Sequence, residues 1–147
     1  MRLFLLDTNV ISETHKLKPS LAVMQWLNSQ PVEYLCTSAI VIAELRYGII
    51  KCDEDVKKLD LTAWIETEVL VWLKGRVLEV DEDILLRWLV IGKNLQSKKT
   101  TQPTVDLLVA AVAAEKNMVV VTRDTKPFNA CGIPTFNPWT GERFNGA

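Results

Sequence analysis

Four acidic residues stand where an ordinary fold would not casually place them. Asp7 ends the apolar run Leu3-Phe4-Leu5-Leu6, and Asp124 follows Met118-Val119-Val120-Val121 by three residues, so both reach the carboxyl ends of buried strands. Glu44 lies among Ile40, Val41, Ala43 and Leu45, with Gly48 one turn later leaving room beside it. Asp106 is the only polar residue between Val105 and Ala114. Taken singly, most have an ordinary explanation. Asp7 could cap a helix, Asp106 is favoured in a first helical turn by the macrodipole, and Asp124 in Arg-Asp-Thr could form a turn. Glu44 resists such a reading, because a carboxylate on an apolar helix face is costly unless it is paired or bound to a cation.

Placed together, the four acquire a common chemistry. Two strand ends and a helix start on one edge of a sheet bring carboxylates within reach of one point, where they repel each other and their pKa values rise until a cation neutralises them. Oxygen-only ligands select a hard ion, Mg2+ or Mn2+, and His15 is the sole histidine, so zinc has no ligand set. The same scarcity leaves Ser-His-Asp and Cys-His nucleophiles without support, and neither GxGxxG nor GxxxxGK[ST] is present. Asp7-Thr8-Asn9 also lacks the second acid of an aspartyl-phosphate phosphatase. What remains is cation-assisted hydrolysis of a phosphodiester. If Asp7 is a ligand, Thr8 or Asn9 is the better placed to cap the helix that follows.

The elements that must hold these acids alternate between strand and helix. Leu3 to Leu6, Tyr34 to Thr37, Arg76 to Val80, Met118 to Thr122 and Ile133 to Phe136 read as strands. Thr8 to Ser12 starts a short helix. Ser20, Ser38 and Asp81 cap helices, the last of them running through Ile91, and Pro103-Thr104 opens VDLLVAAVAAEKN, with Asn117 as a left-handed stop. Leu61, Ile65, Val69 and Trp72 recur at helical spacing, and Ser97 to Gln102 reads as a loop. Such alternation predicts an α/β fold with a parallel sheet covered on both faces, whose ligand crevice lies beyond the carboxyl ends of the strands.

At 147 residues and 48% apolar composition the chain is the size of one domain, 1–147, and can bury a core. A net charge of −1 excludes the global basic field of a protein that coats nucleic acid non-specifically, so any such contact is local. Cys36, Cys52 and Cys131 are scattered and read as reduced thiols. Neither a signal peptide core nor a membrane-length segment is found, and the expectation is a soluble cytoplasmic protein.

LLDTNVISE (5–13), SAIVIAELRYG (38–48), VDLLVAAVA (105–113) and TRDTKPF (122–128), in this order and spacing, resemble the PIN-domain ribonuclease toxins of the VapC and FitB type. The closing FNPW (136–139) resembles the FitB-like branch. The resemblance covers essentially the whole chain, and four motifs in order are far more specific than any one. It implies a three-layer α/β/α sandwich with a central, mainly parallel sheet. It also implies a magnesium- or manganese-dependent endoribonuclease acting on single-stranded or looped RNA, with tRNA or another structured RNA among the candidates. Such a protein would be the toxin of a type II toxin-antitoxin system, a homodimer held inactive by a cognate antitoxin. By motif match, Asp7, Glu44, Asp106 and Asp124 take the family's acidic positions. Asp7 and Asp106 would be direct ligands of the metal, with Glu44 and Asp124 completing the site on a second ion or through water. Thr8, Asn9 and Thr122 match polar positions that support the cluster by hydrogen bonding.

Two stretches depart from the pattern: Gln102-Pro103-Thr104-Val105, where relatives commonly carry small residues, and His15-Lys16-Leu17 after Glu13. Lys16, Lys18, Lys98, Lys99, Arg123 and Lys126 fall in expected loops, where they could meet phosphates or antitoxin, or simply face solvent. Arg46, two residues after Glu44, has the fork to grip phosphate or pair with an acid. Trp64 and Trp72, with Leu61, Ile65 and Val69, form a stripe that suits the core better than an antitoxin groove. The competing function is a non-enzymatic α/β regulatory module that binds nucleic acid or a partner without cutting.

Overall fold

Strand β1 (Phe4–Leu6) takes the centre of the sheet because Leu5 and Leu6 are apolar on both faces and fully buried. The computed structural model describes residues 2–99 and 104–146. β1 pairs in parallel with β2 (Leu35–Ser38) on one side and β4 (Val119–Val121) on the other. β3 (Val77–Leu78) extends the sheet beyond β2, and β5 (Thr135–Phe136) extends it beyond β4. The antiparallel strand β6 (Arg143–Phe144) closes that edge, giving the order β3-β2-β1-β4-β5-β6. Leu6 lies level with Val121, so the chain leaves β1 and β4 at the same height.

The helices follow the expected capping chemistry. α1 (Thr8–Glu13) leaves β1 directly; α2 (Leu21–Ser29) and α3 (Ala39–Ile50) begin at Ser20 and Ser38, whose hydroxyls accept from the Val23 and Ile40 N–H groups. α4 (Asp55–Trp64) passes through a π turn (Ile65–Val69) into α5 (Leu70–Trp72), burying Trp64, Ile65 and Val69. Trp64 thus belongs to the core, and Trp72 packs against it half-buried. α6 (Glu82–Ser97) starts at Asp81 and packs along α7 (Thr104–Lys116). α7 ends as expected: Asn117 has φ 54°, and the Met118 N–H reaches back to the Ala113 carbonyl at 2.9 Å. The expected mainly parallel α/β sheet flanked by helices is therefore what forms.

Several boundaries differ from the expectation. α6 runs through Ile91 as expected and on to Ser97, so Ser97, expected to open a loop, is helical; positions 100–103, including Gln102 and Pro103, lie outside the described residues. Tyr34 belongs to a 3₁₀ turn (Val32–Tyr34), and the third strand contracts to two residues. Arg76, expected in that strand, instead donates through its guanidinium to the carbonyls of Leu35 and Trp72. α8 (Lys126–Ala130) and β6 were not expected. No described helix is long and apolar enough to cross a membrane.

Candidate functional site

The equal height of β1 and β4 brings Asp7 and Thr122 side by side. The Asp7 N–H donates to the Val121 carbonyl at 3.0 Å, and the Thr122 hydroxyl donates to Asp7 Oδ2 at 2.8 Å. Asp7 Oδ1 accepts from the Thr8 N–H at 2.9 Å, with Asp7 itself at the N-cap of α1. The expectation that Thr8 or Asn9 would cap is thus corrected: backbone geometry puts Asp7 in extended conformation at the helix start, and its neighbours are already helical. Thr8 is freed for the cluster, and its hydroxyl donates to Glu44 Oε1 at 2.7 Å, tying α1 to α3.

Thr122 spends its whole hydrogen-bonding capacity here. It donates to Asp7 and accepts from Asn9 Nδ2 at 3.2 Å and from the Asp124 N–H at 3.1 Å. Asn9 Oδ1 accepts from the Arg123 N–H at 3.2 Å, fixing the turn that carries Asp124. From the strand below, the buried Thr37 donates its hydroxyl to the Leu6 carbonyl at 2.8 Å, holding the residue before Asp7. Sequence reading missed Thr37; a polar β-branched residue at a buried strand end was its only signal.

The structure brings all four acids into electrostatic contact. Burial raises the Asp7 pKa above its ordinary value, against the Thr8 and Thr122 hydrogen bonds, and the Asp124 charge raises it further. Burial likewise raises Glu44, with the Thr8 hydroxyl opposing and Asp7 adding to the rise. Asp106, in the first turn of α7, is pushed up to about 6, first by burial and then by the charges of Asp7, Glu44 and Asp124. Asp124 itself is exposed. In this conformation no three Asp, Glu, His or Cys side chains among the described residues close up into a group that would hold an ion. The donor set nevertheless suits a hard cation: every candidate ligand is a carboxylate oxygen, and three of the four carboxyls are destabilised in their charged form.

The basic candidates are less concentrated. Arg46 pairs with Glu66 at 2.8 Å rather than standing free beside Glu44, the acid-pairing outcome of the two expected for it. Lys16 pairs with Glu13 at 2.9 Å. Arg123 lies over the Trp139 ring at 4.9 Å, Lys98 lies close enough to Cys131 to act on its thiol, and Lys99 takes the left-handed conformation after α6. Lys18 and Lys126 are exposed. His15 approaches Asp60 at 3.1 Å and packs on Trp64.

A mainly parallel sheet flanked by helices, with Asp7 at the carboxyl end of its central strand, defines an α/β class, and the comparisons make it specific. The PIN domain family matches residues 4–132, and the chain belongs to that family. It is 37% identical over 137 residues to the VapC ribonuclease Y4jK of Sinorhizobium fredii, covering 93% of this chain and 98% of that protein. The toxin FitB of Neisseria gonorrhoeae is 36% identical over 137 residues, covering 93% and 99%. Among solved structures, FitAcB from Neisseria gonorrhoeae superposes with a TM-score of 0.87 at 36% identity, over 93% of this chain and 99% of that one. DNA-bound VapBC from Salmonella typhimurium gives 0.72 at 28% identity, over 87% and 91%. The resemblance to the VapC and FitB type thus holds along the chain.

Proposed function

We propose that the chain, a single PIN domain over 1–147, is a magnesium- or manganese-dependent endoribonuclease and the toxin of a type II toxin-antitoxin system. The observation that carries this reading is the mutual coupling of Asp7, Glu44, Asp106 and Asp124 at one edge of the sheet, with Asp106 pushed up to about 6 and no cation among the described residues acting to relieve it. Relatives named ribonuclease and toxin support the activity, and the toxin-antitoxin assemblies among the solved structures support a cognate antitoxin as partner. A homodimer in the cytoplasm completes the reading; exposed Leu85, Leu86, Leu89 and Val90 on α6 offer an apolar surface for the second copy.

Asp7 and Asp106 would hold the cation, with Glu44 and Asp124 completing the site. A bound divalent ion supplies charge neutralisation and Lewis acidity to phosphodiester hydrolysis. The chain's part is to fix the ligands. Thr122 and the Thr8 N–H orient both oxygens of Asp7, and the Thr8 hydroxyl orients Glu44. Asp106 is a carboxylate at neutral pH and keeps its proton below about 6, so acid withdraws a charge from the site. The test is manganese-dependent cleavage of RNA by purified Asp7→Asn and Asp106→Asn, with folding checked by circular dichroism. Cleavage should fall on the order of 100-fold or more. Undiminished cleavage by either folded variant overturns the reading. A wild-type protein that binds no manganese and leaves RNA intact favours the non-enzymatic module instead.

A further inference from the structure

The C-terminal half of α3 carries more than Glu44. Tyr47 and Lys51 follow it by three and seven residues, which places all three on one helix face. That face borders a groove of about 470 Å³ lined by Thr8, Glu44, Ile40, Tyr47, Lys51 and Val105. The groove is continuous with the acid cluster, because Thr8 and Glu44 belong to both. Tyr47 is 59% exposed, and the Lys51 ammonium sits 4.9 Å from its ring centroid. Val105, in the first turn of α7 beside Asp106, also lines the groove.

We infer that this groove is a subsite for the RNA flanking the cleaved bond, with Tyr47 stacking on a base and Lys51 meeting a backbone phosphate. The inference rests on the nuclease reading above and deepens it. An aromatic ring next to a cation is the pairing that single-stranded nucleic acid requires, since the ring takes any base face and the ammonium takes the phosphate. The Lys51 contact also holds the ring in place before a base arrives. Along α3, Glu44 and Lys51 are separated by about 10 Å of helix rise, so an acidic end and a basic end are set apart. A strand whose scissile phosphate sits at the acids would run its flank toward the cation. Val105, which lines the same groove, offers the base an apolar contact.

The test uses the full chain, manganese and a fluorescein-labelled single-stranded RNA of mixed sequence. Cleavage is followed for wild type, Tyr47→Ala, Tyr47→Trp and Lys51→Ala, and binding of the same RNA is measured for the three substitutions in an Asp106→Asn background. Tyr47→Ala should raise KM and Kd roughly 5- to 150-fold with kcat within about threefold, and Tyr47→Trp should restore both. Lys51→Ala should weaken binding and lower the salt slope of log Kd by about 0.7. If wild type cuts RNA and Tyr47→Ala leaves KM unchanged, the subsite is overturned while the nuclease reading stands. A wild-type chain that neither binds nor cuts RNA overturns both.

Discussion

Helix α1 carries a covered acid at each end, and the two behave oppositely. Asp7, at its N-cap, is 6% exposed and its pKa is raised; Glu13, its last residue, is 4% exposed and its pKa is lowered. Area alone therefore does not set the direction. Glu13 is covered but shallow. It accepts from the Lys16 ammonium at 2.9 Å and from the Ser20 N–H at 2.8 Å, so its own loop neutralises it and desolvation ranks behind both contacts. Asp7 lies deeper, receives only neutral donors, and has further acids beside it. One carboxylate is completed by the chain and closes a loop. The other is raised by burial and by the Asp124 charge, the pattern expected of a ligand under the proposed function.

The strongest way to break that contrast is to neutralise one acid of each kind. Asp106→Asn should reduce manganese-dependent cleavage on the order of 100-fold or more, whereas Glu13→Gln should leave it within about threefold while lowering stability by about 1–2 kcal/mol through the lost charge-assisted hydrogen bonds. Equal losses of activity in two folded variants would erase the distinction. The next largest effect is on melting. Manganese at about 100 times its Kd should stabilise the wild type by about 2.7 kcal/mol, or on the order of 10 °C, and do the same for Glu13→Gln but not for Asp106→Asn. Calorimetry of the three proteins with and without the ion measures it.

A smaller effect sharpens the contrast through pH. The folded Asp106 titrates near 6 against 3.8 for the free group, so between these values the folded chain holds the extra proton. Metal-free stability contributed by this group is therefore highest below about 3.8 and falls as pH rises through 6; Asp7 and Glu44 push in the same direction. Glu13 acts the other way, stabilising above its ordinary 4.5 and losing that contribution as pH falls through its lowered value. Urea midpoints in EDTA across pH 4 to 7 should show a decline that Asp106→Asn flattens. The smallest change is Thr122→Val, costing about 1 kcal/mol and a few-fold in cleavage by loosening Asp7; a variant as active and as stable as wild type would remove Thr122 from the site.

Much of this was legible in the chain because the signals were local and strong. Leu5-Leu6 and Val119 to Val121 announce buried strands, Ser20, Ser38 and Asp81 announce helix starts, and the acids stand out against apolar neighbours. What escaped was short or depended on distant contacts. α8 spans five residues and β6 two, too few to display a period. β6 forms only because the chain turns back at Gly141, φ 82°, to pair with β5. Arg46 paired with Glu66 and Lys16 with Glu13 look in sequence like any other cations awaiting phosphate. The covered state of Glu13 likewise appears only once residues 14–20 fold over it.

The hydrogen bond from Thr122 to Asp7 joins positions 115 residues apart in the chain. During synthesis, β1 is made more than a hundred residues before β4 and must keep one edge unpaired until β4 arrives beside it. A nascent or prematurely terminated chain that stops before residue 100 possesses Asp7 and Glu44 but neither Asp106 nor Asp124. The acid cluster is thus assembled in stages along the chain and is complete only once Asp124 has been made.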